Sequence, residues 1–134
     1  MATNMAGMFS GCSGLTNLCM NRFRTSHVID MGSMFRGCNN LKSLDLSGFD
    51  TSRVTDMSEM FSGCSDLTSI DLGEFNTQHV IDMHSMFEGC SRLADLDAEK
   101  FDTNLVSDMQ GMFVGCPAGE KVDHHKFTDD AFEN

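Results

Sequence analysis

The sequence predicts an α/β repeat solenoid of five 26-residue coils, with a parallel strand ladder on one face and short helical turns opposite. Three series of residues predict it. A Met-Phe pair falls at Met8-Phe9, Met34-Phe35, Met60-Phe61, Met86-Phe87 and Met112-Phe113. A Gly-Cys pair keeps the same step from Gly11-Cys12 to Gly115-Cys116, and a second Phe series runs Phe23, Phe49, Phe75, Phe101, Phe127. No insertion or deletion interrupts them, which places the coils at about 2–27, 28–53, 54–79, 80–105 and 106–131. A single coil cannot bury its own apolar side. Stacking coils about 4.8 Å apart can.

Within one coil, Val54 to His79, each piece has its own signal. Val54–Asp56 reads as a short extended segment. Met57, Met60, Phe61 and Cys64 follow at helical spacing, with Asp56 placed as an N-cap and Gly63 placed to end the turn. One or two helical turns to about Ser62 are expected; an alternative reading starts the helix at Ser52. Leu67-Thr68-Ser69-Ile70-Asp71-Leu72 then has the L-x-x-L-x-L spacing of a leucine-rich repeat. Side chains alternate on a strand, so Leu44, Ile70 and Leu96 should face inward and Asp45, Asp71 and Asp97 outward in a row.

These units resemble the 26-residue bacterial surface-protein repeat, a BspA-like branch of the leucine-rich repeats. Its pattern, V-T-D-M-S-x-M-F-x-G-C-x-x-L-x-x-L-D-L-x-x-F-D-T-S, is matched almost position for position by Val28–Arg53 and Val54–His79. The resemblance covers residues 2–116 well and the last coil poorly. It implies a leucine-rich-repeat solenoid, a non-catalytic surface or secreted module of the adhesion type, and no catalytic residues to carry over. The ends depart from the pattern: Ala2 and Asn4 stand where Val and Asp are usual, and Gly119 replaces the first strand Leu. The polar tail Asp123–Asn134 keeps Phe127, and Val122 precedes it, so the degenerate last coil is expected to cap the stack. The N-terminal coil shows no comparable cap. Phe132 falls outside every series, so its loss is expected to matter little.

The net charge of −11 argues against nucleic acid and anionic membranes as partners. The charge is uneven, with a net +2 over residues 1–53 and −13 over residues 54–134. No apolar run approaches the ~18 residues that would cross a bilayer, and the first residues do not have the basic-then-apolar pattern of a signal peptide, so none is expected in them. Membrane insertion is therefore not expected; a cell-surface or secreted location rests on the resemblance alone.

Candidate chemistry is sparse. The five repeat cysteines read as inward small hydrophobes, whereas Cys19 occupies the outward position held by Asp45, Asp71 and Asp97. Five M-x-x-M pairs have a spacing met in soft-metal sites, but beside Phe they read as core filling. The Asp45, Asp71, Asp97 row is either a solvated face or a surface for a basic partner or Ca²⁺. Asp30, Asp56, Asp82 and Asp108 read as repeated caps, and Thr25, Thr51, Thr77 and Thr103 as a turn ladder bonding local backbone. The histidines do not cluster along the chain, so no metal, cofactor or catalytic residue is expected. With no Trp or Tyr, an interface must use charge or an open end. The partner-binding candidates are Met5, Met8, Arg22 and Arg24 at the N-terminal coil, grouped there with Arg36, and Asp45, Asp71 and Asp97 on the strand face. A protein partner is expected, and head-to-tail self-association is the further possibility, since a basic end and an acidic end share one stack. The alternative to an adhesion module is an accessory structural subunit docked into a larger assembly through that N-terminal coil.

Overall fold

Alternating polar and apolar residues produce three short strands, β1 (Asn17–Cys19), β2 (Ser43–Asp45) and β3 (Ser69–Asp71). A computed structural model describes residues 2–73 and 75–133; Met1, Glu74 and Asn134, the last of them in the expected capping tail, lie outside the described residues. The strands pair in parallel in the order β1-β2-β3, with Leu18, Leu44 and Ile70 in register. A second column of parallel bridges joins Asn4, Asp30, Asp56, Asp82 and Asp108. Both columns advance by the sequence repeat, so the chain is a stack of parallel coils.

The segment expected to be helical is not. Residues Met57–Cys64 form a run of turns, and the helices among the described residues are two 3₁₀ turns, Pro117–Glu120 and Asp129–Ala131. The reason lies in the backbone donors. Met60, Ser62 and Cys64 N–H groups donate to Met57, Glu59 and Phe61 carbonyls within the coil. The intervening Glu59, Phe61 and Gly63 donate instead to His84, Met86 and Glu88 in the next coil. A helix would keep every donor within itself. Diverting alternate donors requires positive φ at Ser33, Glu59 and Ser85 (about 55°) and at the Gly-Cys glycines, where Gly63 has φ 77°. Glycine there avoids the Cβ penalty of the left-handed region.

Each expected helix cap becomes an Asx turn. Asp30, Asp56, Asp82 and Asp108 each accept, through Oδ1, the N–H two residues on at 2.8–3.0 Å. The caps are real; only the element they cap differs.

The core is a set of columns. Phe9, Phe35, Phe61, Phe87 and Phe113 stack with centroids 5.3–5.8 Å apart and near-parallel planes. The Met columns, except Met8 in the first coil, and Leu41, Leu67 and Leu93 are buried beside them. Buried Thr25, Thr51 and Thr77 do not bond local backbone as expected. Thr51 Oγ1 donates to Asn76 O at 3.0 Å and accepts from Asn76 N at 2.8 Å, and Thr25 and Thr77 repeat this to Asp50 and Asp102. A hydroxyl, being both donor and acceptor, joins consecutive coils where no strand does.

Leu44 is buried, but Ile70 and Leu96 are only half-buried, a correction to the expected inward ladder. Strand pairing among the described residues stops at β3, where Ala98 takes the place of Met20, Leu46 and Leu72. A cleft of about 210 Å³ lies beside β3, lined by Ile70, Leu72, Phe75, Asp97 and Phe101. Phe23 is also more open than the rest of its series, 37 % exposed against 3–5 % for Phe49, Phe75, Phe101 and Phe127.

The tail closes the C-terminal end. Gly111 and Phe113 N–H groups, which in earlier coils would meet another coil, donate to Asp130 and Ala131 carbonyls at 2.8 Å. Phe132 continues the Phe stack, 5.5 Å from Phe113, and His124 lies flat on it at 4.0 Å. The expectation that Phe132 stands apart is therefore wrong: the tail reverses and delivers it out of register. Gly119 sits where a Cβ would meet Phe113 Cβ at 2.6 Å, so the strand Leu of other coils has no room.

Candidate functional site

Three surfaces gather the chemistry. On the strand face, Asp45 is half-buried and Asp71 and Asp97 are exposed, in the row expected. Each carboxylate also holds a turn: Oδ1 accepts the N–H of Ser47, Gly73 or Glu99 at 2.9, 2.9 and 3.2 Å. Hydrogen bonds from Ser47 hold the Asp45 carboxyl below the usual range. Asp45 Oδ2 lies 3.8 Å from Sγ of the exposed Cys19. Beside them runs a shallow groove of about 420 Å³ lined by Asn17, Leu18, Ser43, Leu44, Asp45 and Asp71.

The cysteine column behaves differently from Cys19. All six cysteines are free, and Cys38, Cys64, Cys90 and Cys116 are buried. Cys38, Cys64 and Cys90 Sγ each lie 3.1–3.2 Å from a Phe carbonyl of the preceding coil, so each thiol donates rather than merely filling space. Burial pushes the Cys64 thiol up to about 12. Cys12, expected inside, is half-buried because it belongs to the edge coil.

At the N-terminal coil, Met8 is 49 % exposed, Phe9 half-buried, and Arg22 and Arg24 exposed. Met5 is 8 % exposed and belongs to the core cluster, as its inward series requires. Arg36 turns away from this end: its Nε pairs with Glu59 Oε2 at 3.0 Å. Met5, Gly7, Phe9 and Gly11 donate their N–H groups onward to Asp30, Gly32, Met34 and Arg36, whereas Ile29 and Lys42 donate back to the Thr3 and Thr16 carbonyls, so the direction of the ladder alternates along this coil.

The third surface was not read from the sequence. His84 Nδ1 lies 2.7 Å from Asp82 Oδ1 and 4.0 Å from Asp108 Oδ2, while its Nε2 lies 3.6 Å from Glu59 Oε1. One ligand atom from each of Asp82, His84 and Asp108 falls within a 4.8 Å span. Partial burial opposes charge on the ring, but Asp82, Asp108 and Glu59 outweigh it and the His84 pKa is raised. The overlooked signal was register. His84 stands at the repeat position of Gly32, Ser58 and Gln110, between two successive members of an aspartate column.

No helix among the described residues is long and apolar enough to cross a membrane. No curated protein sequence matches the chain. Three solved structures are similar over part of their length. They are a leucine-rich-repeat protein of T. pallidum (24 % identity, 67 % of this chain, 38 % of that one, TM-score 0.43), one of Eubacterium ventriosum (17 %, 81 %, 32 %, 0.46) and one of Bacteroides ovatus (16 %, 97 %, 38 %, 0.44). This chain thus spans between about a third and two fifths of their lengths. The family model described as "Mycoplasma protein of unknown function, DUF285" matches residues 3–126, and the chain belongs to that family.

Proposed function

We propose that the chain is a non-catalytic protein-interaction module, an adhesion-type surface repeat of the BspA-like leucine-rich-repeat kind built from five coils. The observation that carries this reading is the strand face. Asp45, Asp71 and Asp97 are fixed by their own turns; Asp45 and Asp71 line a shallow groove with half-buried Leu18, and Asp97 lines the neighbouring cleft with half-buried Ile70. Carboxylates held in place lose little entropy on binding, and a row of them favours a basic protein partner. The net charge of −11 disfavours nucleic acid.

A second reading has its own observation. The N-terminal coil presents Met8, Phe9 and Phe23 beside Arg22 and Arg24. This suits an accessory subunit docked into a larger assembly through that coil. It suits head-to-tail pairing of copies less well, because the tail already occupies the Gly111 and Phe113 donors.

One comparison separates the two. The full chain is tested for binding to fractionated surface and intracellular proteins beside the triple variant D45N/D71N/D97N and beside Met8→Asp. Asn keeps the turn, since Asn4 and Asn76 accept the same bond here. Loss of a partner only in the triple variant supports the adhesion face. Loss only in Met8→Asp supports docking through the edge, and partners kept by both variants would defeat both readings.

A further inference from the structure

We propose that Asp82, His84 and Asp108 bind one divalent first-row metal ion of the zinc class, with Glu59 orienting the imidazole from behind. The donors come from a rigid part of the fold. Asp82 and Asp108 are bridged neighbours in one column, about 4.8 Å apart along the stack. Each uses Oδ1 to accept its turn N–H, from His84 and Gln110, at 3.0 Å. Asp108 thus keeps Oδ2 for a ligand, 4.0 Å from His84 Nδ1, while Asp82 Oδ1, which also accepts the turn N–H, lies 2.7 Å from the same nitrogen and leaves its Oδ2 over. Bonds of about 2.0–2.2 Å in a tetrahedral shell set donors roughly 3.4 Å apart, so the 2.7 Å contact of Nδ1 with Asp82 would open and the 4.0 Å separation from Asp108 would close as the ion enters.

Donor type and charge select the ion. One imidazole with two carboxylates is a borderline set, suited to zinc-like ions rather than to calcium, which takes oxygen only. Glu59 against Nε2 reproduces the carboxylate–imidazole–metal arrangement that fixes the tautomer, and Arg36 in turn holds Glu59. Glu88 adds a further negative charge across an open concavity of about 230 Å³ lined by His84, Asp108 and Gln110. That space admits the waters needed to complete the coordination shell. Negative charge exceeds positive here, and a proton on His84 is the ion's competitor.

Two experiments on the full chain test the site. In the unmodified protein, Zn²⁺ is titrated while the ring signals of the five histidines are followed by NMR. The His84 ring should move first and saturate at one ion per chain. Calorimetry then uses a background with Cys12 and Cys19 replaced by Ser, so that accessible thiols do not compete. H84Q and D108N should each weaken Zn²⁺ binding about tenfold or more, and E59Q by about tenfold, with H124Q/H125Q unchanged. Both main variants preserve the fold's own chemistry, because Gln110 occupies the position of His84 and Asn4 that of Asp108. The assignment would be overturned by no Zn²⁺ binding up to millimolar concentration, by H84Q and D108N binding as the parent does, or by Ca²⁺ bound in preference to Zn²⁺. A His84 ring that stays still while another histidine moves would overturn it equally.

Discussion

Phe132 lies flat against Phe113, with ring centroids 5.5 Å apart and planes 16° from parallel. It ends a column that begins at Phe9, although its position in the chain breaks the repeat. Phe132→Ala should therefore destabilise the fold by roughly 1–2 kcal/mol, the scale of a half-buried stacked ring. Phe61→Ala, which opens a cavity between two buried neighbours, should cost roughly 3–5 kcal/mol. Urea denaturation of both variants checks the order. A Phe132 variant with the midpoint of the unmodified chain would mean the tail does not cap.

Restoring the repeat residue at Gly119 should harm the protein. Gly119→Leu matches the strand Leu of other coils but drives its Cβ into Phe113. Overpacking of this kind costs about 1–3 kcal/mol. Thermal melting should show a lower Tm; a rise would show that the repeat pattern, rather than the cap, governs this position.

Thr51→Val should cost about 1–3 kcal/mol although it conserves volume, because half-buried Asn76 loses the partner of both its N–H and its C=O. Thr51→Ser, which keeps the hydroxyl, should recover most of the loss. Equal midpoints for the Val and Ser variants would contradict a role for the cross-coil hydroxyl.

Thiol reactivity should divide the cysteines into three groups. Cys19 should react first, half-buried Cys12 more slowly, and Cys38, Cys64, Cys90 and Cys116 only on unfolding. Raising the pH toward 9 should not release Cys64, whose thiol stays protonated until about 12. Mass spectrometry of a timed alkylation would detect the order, and five sites modified together would disprove it.

Acid should act through the Asx turns. The Asp45 and Asp50 carboxyls are held below their ordinary range by Ser47 and Ser52. A lowered folded-state pKa gives stability that is present above the unfolded value, about 3.9, and lost as the pH falls through the folded one. The Tm of the unmodified chain should thus fall more between pH 4 and pH 2 than that of D45N/D50N, as scanning calorimetry would record.

What the sequence determined by itself was the period and everything that follows from it. A strict 26-residue step fixes which residues stack on which, hence the Phe, Met and Cys columns, the strand register and the outward Cys19. Spacing alone left the path between columns open. Met57, Met60, Phe61 and Cys64 suit a helix and a run of turns equally, and the next coil decided, by accepting the Glu59, Phe61 and Gly63 donors. Tertiary structure likewise decided two contacts, one out of register and one within it. Phe132 joins the Phe column only because the tail reverses, and His84 meets Asp108 only because stacking converts a separation of 24 residues into 4.0 Å. Periodicity is a local property that a sequence displays; contact across a stack is made by folding, and the chemistry at His84 exists only there.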